Sequence, residues 1–243
     1  MSSTLQEIAD YVIAGRFDDI EALVESALSD GVDPQTIVND GLRSGMEVVG
    51  EKFKANEFFI PEVLIAARAM KAGMEVVKPH LAADSTDSLG TVVIGTVQGD
   101  LHDIGKNLVA MMLEGAGFQV IDLGADASPE AFVEAARENN AELVAMSALL
   151  TTTMPKMAET IRALNSADLD RTVRTMIGGA PVTQSYANEI GADAYAPEAA
   201  SAVEAARELV GRVSRPRGDG PPCWPQRAFA RRLKQEGEKG RDR

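Results

Sequence analysis

The sequence predicts an α/β protein in which an N-terminal four-helix bundle caps a flavodoxin-like domain with a five-stranded parallel sheet. Two observations carry that expectation. Over residues 1–83 apolar side chains recur at helical spacing in four successive segments, and beyond residue 90 short apolar runs alternate five times with helix-length segments. A third observation, a change of charge and composition at residue 214, sets the end of the chain apart.

In the first helix Leu5, Ile8, Ala9, Val12 and Ile13 follow the i, i+3, i+4, i+7, i+8 pattern of one apolar face. Ile20, Leu23, Val24, Ala27 and Leu28 repeat it in the second, which Gly31 stops. Asp33-Pro34 then supplies an N-cap and a proline in the first turn of a third helix, whose stripe runs through Val38, Leu42, Met46, Val49 and Phe53. Pro61 opens the fourth, with Val63, Ala67, Met70, Met74 and Val77 facing inward. Four amphipathic helices with short connections form a small bundle. The segment Ala82–Leu89 is polar and suits a hinge. After it, Thr91–Val97, Phe118–Leu123, Leu143–Ser147, Thr175–Gly178 and Asp193–Ala196 read as strands, with Ile104–Gly115 and Pro129–Asn139 among the helices between them.

The chain has 243 residues, 45% of them apolar and 25% charged, a globular composition large enough for one domain or two small ones. No apolar run approaches the ~20 residues that span a bilayer. The opening residues lack the basic and apolar regions of a signal peptide, so a cytoplasmic location is expected. A net charge of -13 argues against nucleic acid or an anionic membrane as the main partner. From Ser214 to Arg243 there are nine Lys/Arg against four Asp/Glu, whereas the other 213 residues carry 15 basic and 33 acidic side chains. With its Gly and Pro, and with the only Trp and Cys, this segment reads as a basic, disordered tail. The expected domains are therefore 1–83, 90–213 and the tail, 214–243.

In a flavodoxin-like sheet, ligands sit beyond the carboxyl ends of the strands where the strand order reverses. The loops there would be Gln98–Gly105 and Ala148–Met154. The first reads Gly99-Asp100-Leu101-His102-Asp103-Ile104-Gly105, and the second follows Ser147 with three threonines, Thr151 to Thr153. Gly178-Gly179 ends the fourth strand. A histidine flanked by carboxylates, facing a row of hydroxyls and a glycine pair, suits a ligand with one coordinating atom and a bulky polar tail. Taken singly, each has a plainer reading: His102 as a loop histidine, Ser147–Thr153 as helix-capping hydroxyls, Phe53 as bundle core.

Taken together they carry a resemblance. Asp100-x-His102-x-x-Gly105, then 41 residues, Ser147-x-Leu149, then 28 residues and Gly178-Gly179 resembles the signature of cobalamin-binding domains that hold the cofactor base-off and His-on. Gly45–Phe53 and Phe59–Leu64 resemble the helical cap of methionine synthase. The two-part layout is similar to the small corrinoid proteins of the methylamine and methoxyaromatic methyltransferase systems, over about residues 1–210. The loop around Ser147–Thr153 looks most like the methylamine type.

The resemblance implies cobalamin, as methylcobalamin or a related corrinoid, with His102 as lower ligand to cobalt. It implies that Asp100 accepts the other ring N–H, as carboxylates beside metal-bound histidines do. Thr153 would continue the relay where methionine synthase has a serine. Gly99, Leu101, Asp103, Ile104, Gly105, Ser147, Leu149, Thr151, Gly178, Gly179 and Ala199 would contact the cofactor, with Phe53 and Ile60 over its upper face. Asn39 stands where methionine synthase has a cap glutamate, and no role is carried onto it.

The implied function is that of a methyl carrier and not an enzyme by itself. By that resemblance, Co(I) would take a methyl group from a substrate held by a substrate-specific methyltransferase, and methyl-Co(III) would pass it to a second methyltransferase and on to a thiol or folate. A reductive activase is a further implied partner. Two other readings remain open: a cobalamin-dependent sensor, and a mutase small subunit, against which the helical cap argues.

Overall fold

The computed structural model describes residues 3–81, 88–169 and 172–211. Most of the expected hinge and the whole basic tail lie outside these residues. In the N-terminal part, α1 (Ser3–Ile13), α2 (Phe17–Ser29) and α5 (Ile60–Val77) surround a composite rod. That rod is a short α3 (Pro34–Thr36), a π-helical stretch (Ile37–Arg43) and α4 (Ser44–Lys54). The Asp33 carboxylate caps it, accepting the Thr36 N–H at 2.9 Å, and Pro34 occupies the first turn. A 3-10 turn, Lys78–His80, closes the bundle.

The bundle core holds Ile8, Val12, Ile20, Val24, Leu42, Val49, Val63 and Val77, all fully buried. Two details differ from the helical pattern. On α5 the buried face is Val63, Ala66, Ala69, Met70, Gly73 and Val77, while Ala67 and Met74 lie at its margin. The cause is close packing, because a Cβ on Gly73 would stand 2.7 Å from the Leu42 Cδ2. Helix α5 also begins one residue early, at Ile60, with the Glu62 carboxylate accepting the Phe59 N–H at 3.0 Å.

The second part is a five-stranded parallel sheet in the order β2-β1-β3-β4-β5. Its strands are β1 (Thr91–Thr96), β2 (Gln119–Asp122), β3 (Leu143–Ser147), β4 (Arg174–Gly178) and β5 (Ala194–Ala196). Central strands β1, β3 and β4 are buried on both faces, as a doubly covered sheet requires. Helices α6 (Ile104–Gly115) and α10 (Ala199–Val210) cover one face around Leu113 and Leu209. Helices α7 (Pro129–Glu138), α8 (Pro155–Ser166) and α9 (Gln184–Ile190) cover the other around Phe132, Met157 and Ile177. Arg174 belongs to β4 despite its charge, because its guanidinium lies 3.7 Å from the Asp193 carboxylate. Asp193 in turn accepts the Thr175 N–H at 2.9 Å, which holds it just outside β5.

The bundle sits on α6 and α10, and its core is continuous with Leu108, Met112, Ala199 and Ala200. Helix α4 runs along this contact. Near its start the Arg43 Nη2 donates to the Gly117 carbonyl, and near its end Phe53 faces the sheet domain.

Candidate functional site

The strand order reverses between β1 and β3, and the carboxyl ends of these strands meet in register, Thr96 opposite Ser147 and Ser147 opposite Gly178. The loops leaving them diverge there and open a crevice. Gly99 adopts φ +84°, and the chain then turns back on itself so that Asp100 is buried and His102 exposed. The Thr96 hydroxyl donates to the His102 carbonyl at 3.0 Å, fixing the base of the loop.

Asp100 is the hub. Its Oδ1 lies 2.7 Å from the His102 Nδ1 and accepts the His102 N–H at 3.1 Å. Its Oδ2 accepts the N–H groups of Leu149 at 2.8 Å and Leu150 at 3.1 Å, and the Thr153 hydroxyl at 2.7 Å. The hydroxyl also stands 2.9 Å from the Leu150 carbonyl, but it has one proton and the carboxylate is the stronger acceptor. Burial works to raise the Asp100 pKa. The bonds from Thr153, His102 and Leu149 outweigh it and hold the carboxyl well below the usual carboxylate range. An ionised Asp100 is acceptor-only, so the proton between it and the ring belongs to Nδ1. In the neutral ring that tautomer leaves the lone pair on Nε2, and the side chain is 52% exposed.

His102 stands at the wall of a cavity of about 610 Å³ that runs between the sheet and α10. Of the residues expected at the site, Phe53, Leu101, His102, Asp103, Ile104, Gly105, Ser147, Leu149, Gly178, Gly179 and Ala199 line it. Asp100 and Thr153 lie buried behind His102, and Gly99 shapes its loop. Ile60 and Thr151 are exposed and do not line the cavity. Ile60 is the first residue of α5, four positions after the chain turns at Asn56 with φ +58°.

Glycines make room. A Cβ on Gly105 would meet nothing within 4 Å, so the backbone there is bare to the cavity. On Gly178 it would come 2.9 Å from the Ala196 carbonyl, and on Gly179, at φ +123°, 1.9 Å from that of Ala148. Around the opening Leu101, Ile104, Leu149 and Leu150 are exposed together, an apolar rim of the kind that receives a flat apolar ligand edge.

Several cavity residues fall outside the motifs. Ile94, Ala145, Met176 and Ala196 form part of its floor, and Pro197, Glu198 and Ala202 part of the α10 side. The strand residues carry a readable signal. Ala145 and Met176 lie two positions before Ser147 and Gly178, hence on the same sheet face. The α10 residues carry none, since small residues along a helix read equally well as packing against the sheet.

The fold and site define a class: a ligand-binding α/β domain of the open-sheet kind, presenting one histidine at its switch point beneath a helical bundle. Residues 90–207 match the family model described as the B12 binding domain, and residues 4–78 match a second model with the same description. Dimethylamine corrinoid protein 1 of Methanosarcina acetivorans is 46% identical over 207 residues, covering 85% of this chain and 97% of that protein. Trimethylamine corrinoid protein 1 of the same organism is 47% identical over 190 residues, 77% of this chain and 88% of the relative. Among solved structures, the methanol:cobalamin methyltransferase complex MtaBC from Methanosarcina barkeri matches with a TM-score of 0.79 and 31% identity. The match covers 86% of this chain and 80% of that one. A cobalamin-binding protein from Desulfitobacterium hafniense DCB-2 matches with a TM-score of 0.70 and 32% identity, covering 84% and 98%.

The chain belongs to the methylamine corrinoid proteins, a family of B12-binding proteins whose cofactor is a cobalamin-type corrinoid with its cobalt.

Proposed function

We propose that this protein is a methyl carrier that holds its corrinoid base-off and His-on, with His102 Nε2 as the lower ligand to cobalt. One observation carries the reading. The exposed His102 imidazole has its Nδ1 committed to a buried, ionised carboxylate, and it stands at the wall of a cavity of about 610 Å³ between the sheet and α10. A carboxylate behind a ligating histidine fixes its tautomer and raises its basicity. Here five donors on Asp100 restrain that basicity and hold the ring in place. Gly105 bares backbone along the path of a displaced nucleotide tail, Gly178 and Gly179 let the strand end pack tightly beside it, and Ser147, Leu149 and Ala199 line it. When bound, the corrinoid would supply a cobalt centre able to take up and give back a methyl group.

The chain's own residues supply binding, orientation and shielding. Phe53, on the last turn of α4, lines the cavity from the bundle side and serves as a lid over the upper face. Residues 1–83 act as the cap and 90–213 hold the cofactor. The methyl donor is held by a substrate-specific methyltransferase of the methylamine type, and a thiol- or folate-directed methyltransferase takes the methyl group away. A reductive activase would be a further partner. The names of the relatives, with the methyltransferase complex among the structural matches, favour this assignment over a sensor.

The test is the visible spectrum of the loaded protein. His102→Ala should fold, since the residue sits on a crevice loop, and should lose the histidine-ligated spectrum. Asp100→Asn should weaken retention by ~10–100-fold, the usual cost of losing such a partner. An unchanged spectrum in His102→Ala would overturn the assignment.

A further inference from the structure

The segment that carries His102 has no regular structure between Val97 and Ile104, yet its imidazole must be placed to within a fraction of an ångström to ligate a metal. Asp100 fixes the ring from behind. The backbone of the loop is held by something else, on the connection between β2 and α7.

Two carboxylates four residues apart, Asp122 at the end of β2 and Asp126 on that connection, grip the loop at both ends. Asp126 Oδ1 accepts the Gly99 N–H at 2.7 Å, and the Asp126 N–H donates to the Asp100 carbonyl at 3.0 Å. At the other end Lys106, only 2% exposed, puts its ammonium 2.6 Å from Asp122 Oδ1. The connection is itself anchored to β1, where the Thr96 N–H donates to the Gly124 carbonyl and the Ala127 N–H donates to the Thr96 carbonyl, both at 2.9 Å.

Asp126 holds an unusual conformation to do this, φ +58°, which side-chain-bearing residues adopt only at a cost. Nor is its carboxylate needed to start α7, because the Ser128 hydroxyl caps that helix, accepting the Ala131 N–H at 3.3 Å. A strained aspartate beside a helix that already has its cap, spending both a side-chain acceptor and a backbone donor on the neighbouring loop, is arranged for that loop.

We propose that Asp126, with the Asp122–Lys106 pair at the far end, is a positioning residue for His102: it clamps the Gly99–Asp100 backbone and so sets where the imidazole stands over the cavity. The role rests on His102 being the cobalt ligand.

Three substitutions at one site separate strain from grip. Asp126→Asn keeps an acceptor and tolerates the left-handed backbone. Asp126→Gly keeps the backbone at no steric cost and removes the acceptor. Asp126→Ala loses both. In the cofactor-free full chain, amide exchange at Gly99 should rise about three- to tenfold in Asp126→Gly, as expected for one lost hydrogen bond, and stay near wild type in Asp126→Asn. Loaded with hydroxocobalamin, Asp126→Gly should show a larger histidine-off fraction in its visible spectrum than wild type, at an unchanged melting temperature, and Asp126→Asn should restore the wild-type spectrum. Unchanged Gly99 exchange in Asp126→Gly would overturn the clamp. Faster exchange with a wild-type spectrum would overturn its role in positioning the ligand. If the wild-type chain shows no histidine-ligated spectrum, the proposed function fails instead, and the exchange arm still reads the clamp by itself.

Discussion

Around Asp100 five donors converge within 3.1 Å on a carboxylate that has no solvent exposure. Where the bundle meets the sheet domain along α4 and α10, the polar contacts are of another kind. Lys54 pairs with Glu204 at 2.6 Å and Arg207 with Glu47 at 2.7 Å, through side chains 39–61% exposed. Between these pairs lies a cleft of about 240 Å³, lined by Met46, Gly50, Met112 and Val203 among others. A desolvated, fully satisfied network is stiff, because every alternative leaves a buried polar group unpaired. Exposed ion pairs contribute roughly 0–1 kcal/mol each and are screened by salt. The contrast suits the proposed work: the ligand beneath the cobalt stays fixed, while the lid above must be displaced at each transfer.

The stiff side is the easier to break, and Gly179 is its weakest point. It combines φ +123° with a Cβ position 1.9 Å from the Ala148 carbonyl, so Gly179→Ala must push back the loop whose Leu149 and Leu150 amides hold Asp100. The expected loss is about 3 kcal/mol in equilibrium unfolding, from backbone strain and a displaced loop together. A wild-type unfolding midpoint would mean that this loop has room to give and that the comparison overstates its rigidity.

A smaller effect is expected at Thr153. Thr153→Val removes one of Asp100's donors without changing the shape much, and should cost about 1–3 kcal/mol at neutral pH, whereas Thr153→Ser keeps the hydroxyl and should lie close to wild type. The sign with pH follows from the depressed pKa of Asp100. Its contribution to stability is complete above the ordinary carboxylate range and is lost as pH falls through the folded-state value. Weakening the donor set raises that value toward the unfolded-state one, so the variant should lose less stability than wild type as pH falls, and the gap between the two should narrow in acid. Unfolding free energies measured from neutral pH downward check this, and parallel profiles for the two proteins would refute it.

Much of this architecture is legible in the sequence, for identifiable reasons. Strands buried on both faces must be apolar throughout, which makes Leu143–Ser147 stand out, and the order of Asp100, His102, Ser147 and Gly178-Gly179 marks the crevice. The third bundle helix shows a limit. Its stripe advances by successive four-residue steps, Val38 to Leu42 to Met46, and in a regular α-helix each such step drifts about 40° around the axis. The π-helical stretch Ile37–Arg43 widens the turn and keeps Val38, Leu42 and Met46 on one buried face. Asp126 is illegible for a different reason. Its partners lie 26 and 27 residues earlier on another strand's loop, so neither periodicity nor spacing marks it.

The loose side offers the smallest effect and the finest test. Lys54 adjoins Phe53, so the Lys54–Glu204 pair draws the end of α4, and the lid residue with it, toward α10, whose Ala199 and Ala202 line the same cavity. Lys54→Glu and Glu204→Lys should each place like charges together and free that end of the helix. Swapping both should restore the pair with its direction reversed. Amide exchange of the α4 carboxyl-terminal turn should speed up no more than about fivefold in either single variant at low salt, the equivalent of ~1 kcal/mol. It should return toward wild type in the double variant and converge for all four proteins at high salt. Phe53→Ala supplies the opposite control, since it opens the cavity mouth while leaving the ion pair in place. Its methylated form should photolyse faster than wild type, whereas its response to salt should match wild type. If exchange in the single charge variants equals wild type at low salt, the seam is held by Met46 against Met112 and Gly115, where a Cβ would come 2.9 Å from the Met46 Cε, and the lid is as firmly built as the ligand side.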